Sequence, residues 1–153
     1  VVYTDLFRNS QETESQLSLT YIPSFHELLP LVDILSFHCP LTPENKDMLN
    51  AETIKLMKDG AIVVNTARGK LIESNALYEA LCNGKIRTAA LDVHYEEPLP
   101  QEYVLAQLDN VILTPHIAGL SYEAFYDMMY SAVENIVYFE QGDVEHIKEK
   151  KLL

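Results

Sequence analysis

Basic residues are scarce in this chain. Eleven Lys and Arg stand against 23 Asp and Glu, for a formal net charge of -12. Such a surface repels a duplex nucleic acid or an anionic membrane, so neither is an expected partner. Thiols are scarce too. Cys39 and Cys82 have no metal-ligand spacing, which excludes a disulfide scaffold and a zinc site, and no metal is expected. No apolar run is long enough to span a bilayer, and the opening VVYTDLFRNS lacks the basic region of a signal peptide. A cytoplasmic location is the expectation. There is no internal repeat, low-complexity tract or linker, and 153 residues suffice for one domain with a sizeable core. The chain has no initiator Met and opens inside what looks like a strand, as a fragment would.

What is present is an alternation of short strands and helices. VVYT is rich in β-branched and aromatic residues and ends at Asp5, as a strand does. RNSQETESQ is a loop or a short helix. LSLTYI is a second strand, stopped by Pro23. Ser24 and Glu27 are spaced as a capping box, so SFHELLP is a short helix closed by Pro30. VDILSFH has the composition of a strand buried on both faces, ended by Pro40. Asn50 caps a helix AETIKLMK, and Gly60 caps its end. AIVVNT is a strand, NALYEALCNGKI a helix ending near Gly84, and TAALDV and NVILT two further strands. Ser121 opens the longest helix. Its residues Phe125, Met128, Met129, Ala132, Val133, Ile136 and Val137 form two adjacent apolar rows, expected to pack on the core, and Gly142 stops it. The organisation expected is therefore a main domain over residues 1–142 and a polar, fraying tail over 143–153.

Apolar strands alternating with helices define an α/β fold with a mostly parallel sheet covered on both faces. In such doubly wound sheets ligands lie outside the carboxyl ends of the strands. The polar residues that fall there are Asp5, His38 with Cys39, Arg68, Asp92 with Glu97, and His116. An Arg fork binds a carboxylate or an adjacent carbonyl. A His exchanges a proton near neutral pH, and a carboxylate beside it favours the protonated ring and fixes the tautomer. Arg68, Glu97 and His116 around one cavity suit reduction of a 2-oxo acid by a nicotinamide. Taken singly, each has a plainer role. Arg68 is a surface Arg, His116 a turn residue, Glu97 a solvated loop acid, and Asp5 and Asp92 acids that cap backbone amides. His26, His94 and His146 are structural or solvent-exposed in this reading.

Four ordered motifs, VDILSFHCPLTPENKDMLN, GAIVVNTARGKLIESNAL, TAALDVHYEEPLP and NVILTPHIAG, closely resemble the nucleotide-binding domain of the D-isomer-specific 2-hydroxyacid dehydrogenases. That family includes phosphoglycerate, D-lactate, glyoxylate/hydroxypyruvate and formate dehydrogenases. The resemblance runs from Val1 to about Gly142. It implies NAD as cofactor, a small 2-oxo or 2-hydroxy acid as substrate, and a homodimer for the full-length protein. It makes Arg68 the substrate-binding Arg, His116 the acid/base and Glu97 its partner. It places Asp92 at the nicotinamide carboxamide, and Thr66 and Ala67 at the nicotinamide half together with Arg68 and His116. His38 and Cys39 lie on the loop past the ribose, Asp5 on the adenosine ribose hydroxyls, and Ala118 and Gly119 along the cofactor after the His. The Gly-rich turn that cradles the pyrophosphate is missing, with its strand and following helix. The expected architecture is thus an incomplete Rossmann-like doubly wound parallel sheet lacking the central first strand. His94 stands where an aromatic is common and Asn45 where Thr is common. A corepressor-type relative that senses the dinucleotide and binds protein is the second reading. An unrelated receiver module is the third, and NTARG with TPHIAG argues against it.

Overall fold

The computed structural model describes residues 1–147 and divides into two compact units, Val1–His116 and a second that starts at Ile117. In the first, β1 (Val2–Tyr3), α1 (Gln11–Gln16) and β2 (Thr20–Tyr21) are followed by α2 (Phe25–Leu28), β3 (Ile34–Phe37) and α3 (Ala51–Leu56). Next come β4 (Ala61–Asn65), α4 (Ser74–Cys82), β5 (Ile86–Leu91) and β6 (Val111–Leu113). The second unit holds α5 (Tyr122–Glu140). All strand pairings are parallel. β1 pairs with β2 alone, and the order β3-β4-β5-β6 forms a separate four-stranded sheet. The expected gap is there: β1 and β3 are not neighbours in either sheet.

Local chemistry explains the elements. Ser10 caps α1 by accepting from the Thr13 N–H at 3.1 Å. Asn50 caps α3 in a reciprocal box: its side chain takes the Thr53 N–H while Thr53 Oγ1 takes the Asn50 N–H at 2.8 Å. Gly60 and Gly84 follow α3 and α4 with φ of +76° and +79°, a region open to glycine. Leu49, Val63, Leu71, Leu77, Ile86 and Leu105 are fully buried among β4, β5, α3 and α4. Each contributes about 1.5–3 kcal/mol by leaving water.

Four expectations need correction. Ser24 accepts from the His26 N–H rather than from Glu27, so there is no capping box. α2 has only four residues and runs on into a 3-10 turn that contains Pro30, which suits proline because an early turn position needs no N–H. β3 is not buried on both faces. It is the edge strand of its sheet, Leu35 and Phe37 are buried, and Ile34 is 58% exposed on the other face. The apolar rows of α5 form on schedule, but no residue of that helix is buried, so they are not core packing. Tyr122, Tyr126 and Tyr130 stack on one another along it instead. Of the tail, Asp143 bonds His146 at 2.7 Å, and residues 148–153 lie outside the described residues.

Candidate active site

The register of the four-stranded sheet builds the site. Phe37, Asn65, Leu91 and Leu113 are consecutive partners across β3 to β6 and are also the last residues of their strands. Whatever follows them shares one rim. Cys39 lies two residues beyond this line, Arg68 three, Asp92 one and His116 three.

Each strand end is then shaped locally. After β4, the buried Asn65 closes the turn with both ends of its amide: Oδ1 accepts the Ala67 N–H at 3.0 Å and Nδ2 donates to the Arg68 carbonyl at 2.9 Å. This leaves Thr66 and Arg68 exposed and Ala67 half-buried. The guanidinium of Arg68 donates once, to the Ala67 carbonyl at 2.6 Å, and forms no ion pair among the described residues. After β5, Asp92 is buried and accepts the Thr114 hydroxyl at 2.5 Å. After β6, the His116 N–H donates to the Asp92 carbonyl at 2.8 Å and to the Thr114 carbonyl at 3.1 Å, and His116 takes a φ of +57°. The strained backbone turns its ring toward the Glu97 loop.

Glu97 receives two hydrogen bonds. Its Oε1 accepts the His94 main-chain N–H at 2.9 Å, and its Oε2 meets His116 Nδ1 at 2.9 Å. Both hold its carboxyl below the ordinary 4.5, the His116 bond most and the His94 bond next. The pair therefore contributes fully above the ordinary value and is lost only as the pH falls through the lower folded one. With Nδ1 committed, Nε2 of His116 is the nitrogen left for a ligand. Arg68, Gly69, Lys70, His94, Tyr95 and Glu97 line a cavity of about 290 Å³ beside this pair.

The remaining positions are less tightly joined. The His38 ring bonds the Ser36 hydroxyl at 2.8 Å and is exposed. Burial pushes the Cys39 thiol up and Asp5 adds to the effect through its charge, against its own backbone bond. Asp5 therefore lies within electrostatic reach of the Cys39 loop, although it belongs to the other sheet. Ala118 and Gly119 precede α5 in the second unit. Two contributors were not singled out by the sequence. Asn65 was hidden because an Asn ending a strand carries no motif of its own. His94 is buried, with its Nε2 on the Thr114 carbonyl at 2.9 Å and its ring edge-on to Tyr103, so it braces the turn that carries His116. Among the described residues, no group of three or more His, Cys, Asp or Glu is placed to hold a metal, and no helix is long and apolar enough to cross a membrane.

A parallel α/β sheet with an acid after β1 and an Arg, a buried Asp and a Glu–His pair along the other rim defines a Rossmann-like NAD-binding domain of dehydrogenase type. The description "D-isomer specific 2-hydroxyacid dehydrogenase, NAD binding domain" matches residues 1–118, and the chain belongs to that family. It is 40% identical over 144 residues to the glyoxylate reductase of Korarchaeum cryptofilum, covering 94% of this chain and 43% of the relative. It is 46% identical over 114 residues to the D-3-phosphoglycerate dehydrogenase of Methanocaldococcus jannaschii, covering 74% of this chain and 22% of the relative. The solved D-lactate dehydrogenase of Aquifex aeolicus, complexed with NAD and lactic acid, superposes with a TM-score of 0.81 at 34% identity, covering 96% of this chain and 48% of that one. The chain spans less than half the length of each of these relatives.

Proposed function

We propose that this segment is the catalytic, cofactor-binding part of an NAD-dependent D-2-hydroxyacid dehydrogenase, acting together with a substrate-binding domain in the full-length protein. The observation that carries the proposal is the 2.9 Å contact between Glu97 Oε2 and His116 Nδ1, on the same rim as the exposed guanidinium of Arg68, which makes no ion pair among the described residues. The residues fit the nicotinamide half of the cofactor. Buried Asp92 would hold the carboxamide, and the Asn65-shaped turn presents Thr66 and Ala67 at the same rim as Cys39, with His38 beside it. Asp5 would accept the adenosine ribose hydroxyls. When bound, the reduced nicotinamide supplies the hydride. Arg68 grips the substrate carboxylate and draws electron density toward the 2-oxo oxygen. His116 Nε2 gives that oxygen its proton as the hydride arrives at carbon, and Glu97 holds the resulting charge change at Nδ1. Oxidation is the reverse, with His116 taking the hydroxyl proton.

Glu97→Gln in the full-length protein tests the pairing. The amide keeps the shape and loses the carboxylate that meets Nδ1, so the pH dependence of 2-oxo acid reduction is expected to change and turnover to fall. An unmoved pH profile with intact folding would break the assignment.

The isolated chain lacks the means to bind dinucleotide tightly. Its five glycines are Gly60, Gly69, Gly84, Gly119 and Gly142, and none can supply a Gly-rich turn next to β1. Calorimetry on residues 1–153 is expected to show weak NAD binding at best and no reduction of any 2-oxo acid. Micromolar affinity would overturn this.

A further inference from the structure

The turn after β1 carries two residues with opposite preferences. A carboxylate there accepts the ribose hydroxyls of NAD, whereas an Arg nearby accommodates the 2′-phosphate of NADP. Asp5 and Arg8 stand three residues apart, and Arg8 is the sole Lys or Arg before Lys46. Its guanidinium is already engaged. Nε donates to Glu14 Oε1 at 2.9 Å and Nη2 to Glu14 Oε2 at 2.8 Å, the two-pronged geometry that Arg makes with a carboxylate. The Tyr3 hydroxyl donates to the same Oε1 at 2.7 Å, and the Tyr21 ring lies under the guanidinium at 5.3 Å. Glu14 is the buried partner, its side chain 11% exposed against 55% for Arg8. The bonds from Arg8 and then from Tyr3 hold its carboxyl at about 2, so it stays charged at any working pH. Asp5 is exposed, with only one oxygen engaged among the described residues, by the Phe7 N–H at 3.0 Å.

We infer that Glu14 is a cofactor-specificity residue: by gripping both prongs of Arg8 it withholds that cation from a 2′-phosphate and leaves Asp5 to select the unphosphorylated ribose. The inference rests on Asp5 being the ribose acid. It assigns a functional consequence to an α1 residue that touches no ligand.

The experiment compares kcat/KM for NADPH and NADH in the full-length protein and takes their ratio, in which general damage to the fold cancels. Glu14→Gln is expected to raise the NADPH/NADH ratio roughly tenfold or more, the scale of one charge-assisted hydrogen bond. Adding Arg8→Ala to it should return the ratio to its starting value. Arg8→Ala alone should leave the ratio unchanged, because the residue it removes is already occupied. An unchanged ratio in Glu14→Gln, or a gain that survives in the double variant, overturns the inference. If Glu14→Gln does not fold, Arg8→Ala carries the test, and a fall in its ratio would show Arg8 reaching the phosphate already. Asp5→Asn separates the two layers. If it moves the ratio and Glu14→Gln does not, only the role of Glu14 fails. If neither moves it, the ribose is bound elsewhere and the assignment of Asp5 fails as well.

Discussion

Replacing His116 by Ala in the full-length protein is expected to lower turnover by roughly a hundred- to ten-thousand-fold, the loss that follows removal of a positioned general acid. On the activation barrier that is about 3–5 kcal/mol. The expectation follows from how narrowly the ring is placed. Two main-chain bonds from its N–H, to Asp92 and Thr114, hold the backbone at φ +57°, and Glu97 takes Nδ1. The imidazole nearest along the chain, that of the buried His94, has its Nε2 on the Thr114 carbonyl. The loss should fall on kcat, because Arg68 and not His116 is assigned the substrate carboxylate. Steady-state kinetics on a 2-oxo acid with NADH make the distinction. A loss of less than tenfold, or one confined to KM, would remove His116 from the chemistry.

The rim on which this rests was legible before any coordinates, because parallel strands of similar length bring their carboxyl ends into line. Asp5, Cys39, Arg68, Asp92 and His116 each follow an apolar run that stops, and the observed register aligns four of those stops. What escaped the sequence is what depends on neighbours remote along the chain. Hydrophobic periodicity shows which face of α5 seeks cover and not whether cover is present, so its exposed rows could not be foreseen. VDILSFH has the composition of a fully covered strand, and its place at the sheet edge follows from the missing first strand, but the exposure of Ile34 on one face was not foreseen. The Arg8–Glu14 pair joins a loop to a helix six residues on. His94 differs most from its sequence reading in consequence: it is structural, as expected, but its structural role falls on the turn that carries His116.

Gly69→Ala is expected to be the most destabilising single methyl addition at any glycine of the first unit, and the reason is a close approach rather than a backbone angle. A Cβ built at Gly69 meets the main-chain oxygen of His94 at 1.9 Å and its carbonyl carbon at 2.0 Å. Neither is a flexible side-chain end, so one backbone segment has to move. Overpacking of this kind costs about 3 kcal/mol or more, the upper end of its usual range. For a protein of this size that lowers Tm by roughly 6–12 °C. The segment that yields is consequential. The His94 peptide gives its N–H to Glu97, and its ring holds the Thr114 carbonyl, so a shift there loosens the pair between Glu97 and His116. The surviving folded fraction should therefore also turn over more slowly. Gly60→Ala is the control. That glycine has φ +76° with nothing within 4 Å of an added Cβ, so Ala there incurs only the left-handed backbone strain, about 1–2 kcal/mol, and leaves turnover alone. Thermal unfolding and kinetics of the two variants side by side decide the matter. If Gly69→Ala is no less stable than Gly60→Ala, or is less stable but fully active, the contact between the Arg68 turn and the His94 loop does not position the pair of Glu97 and His116.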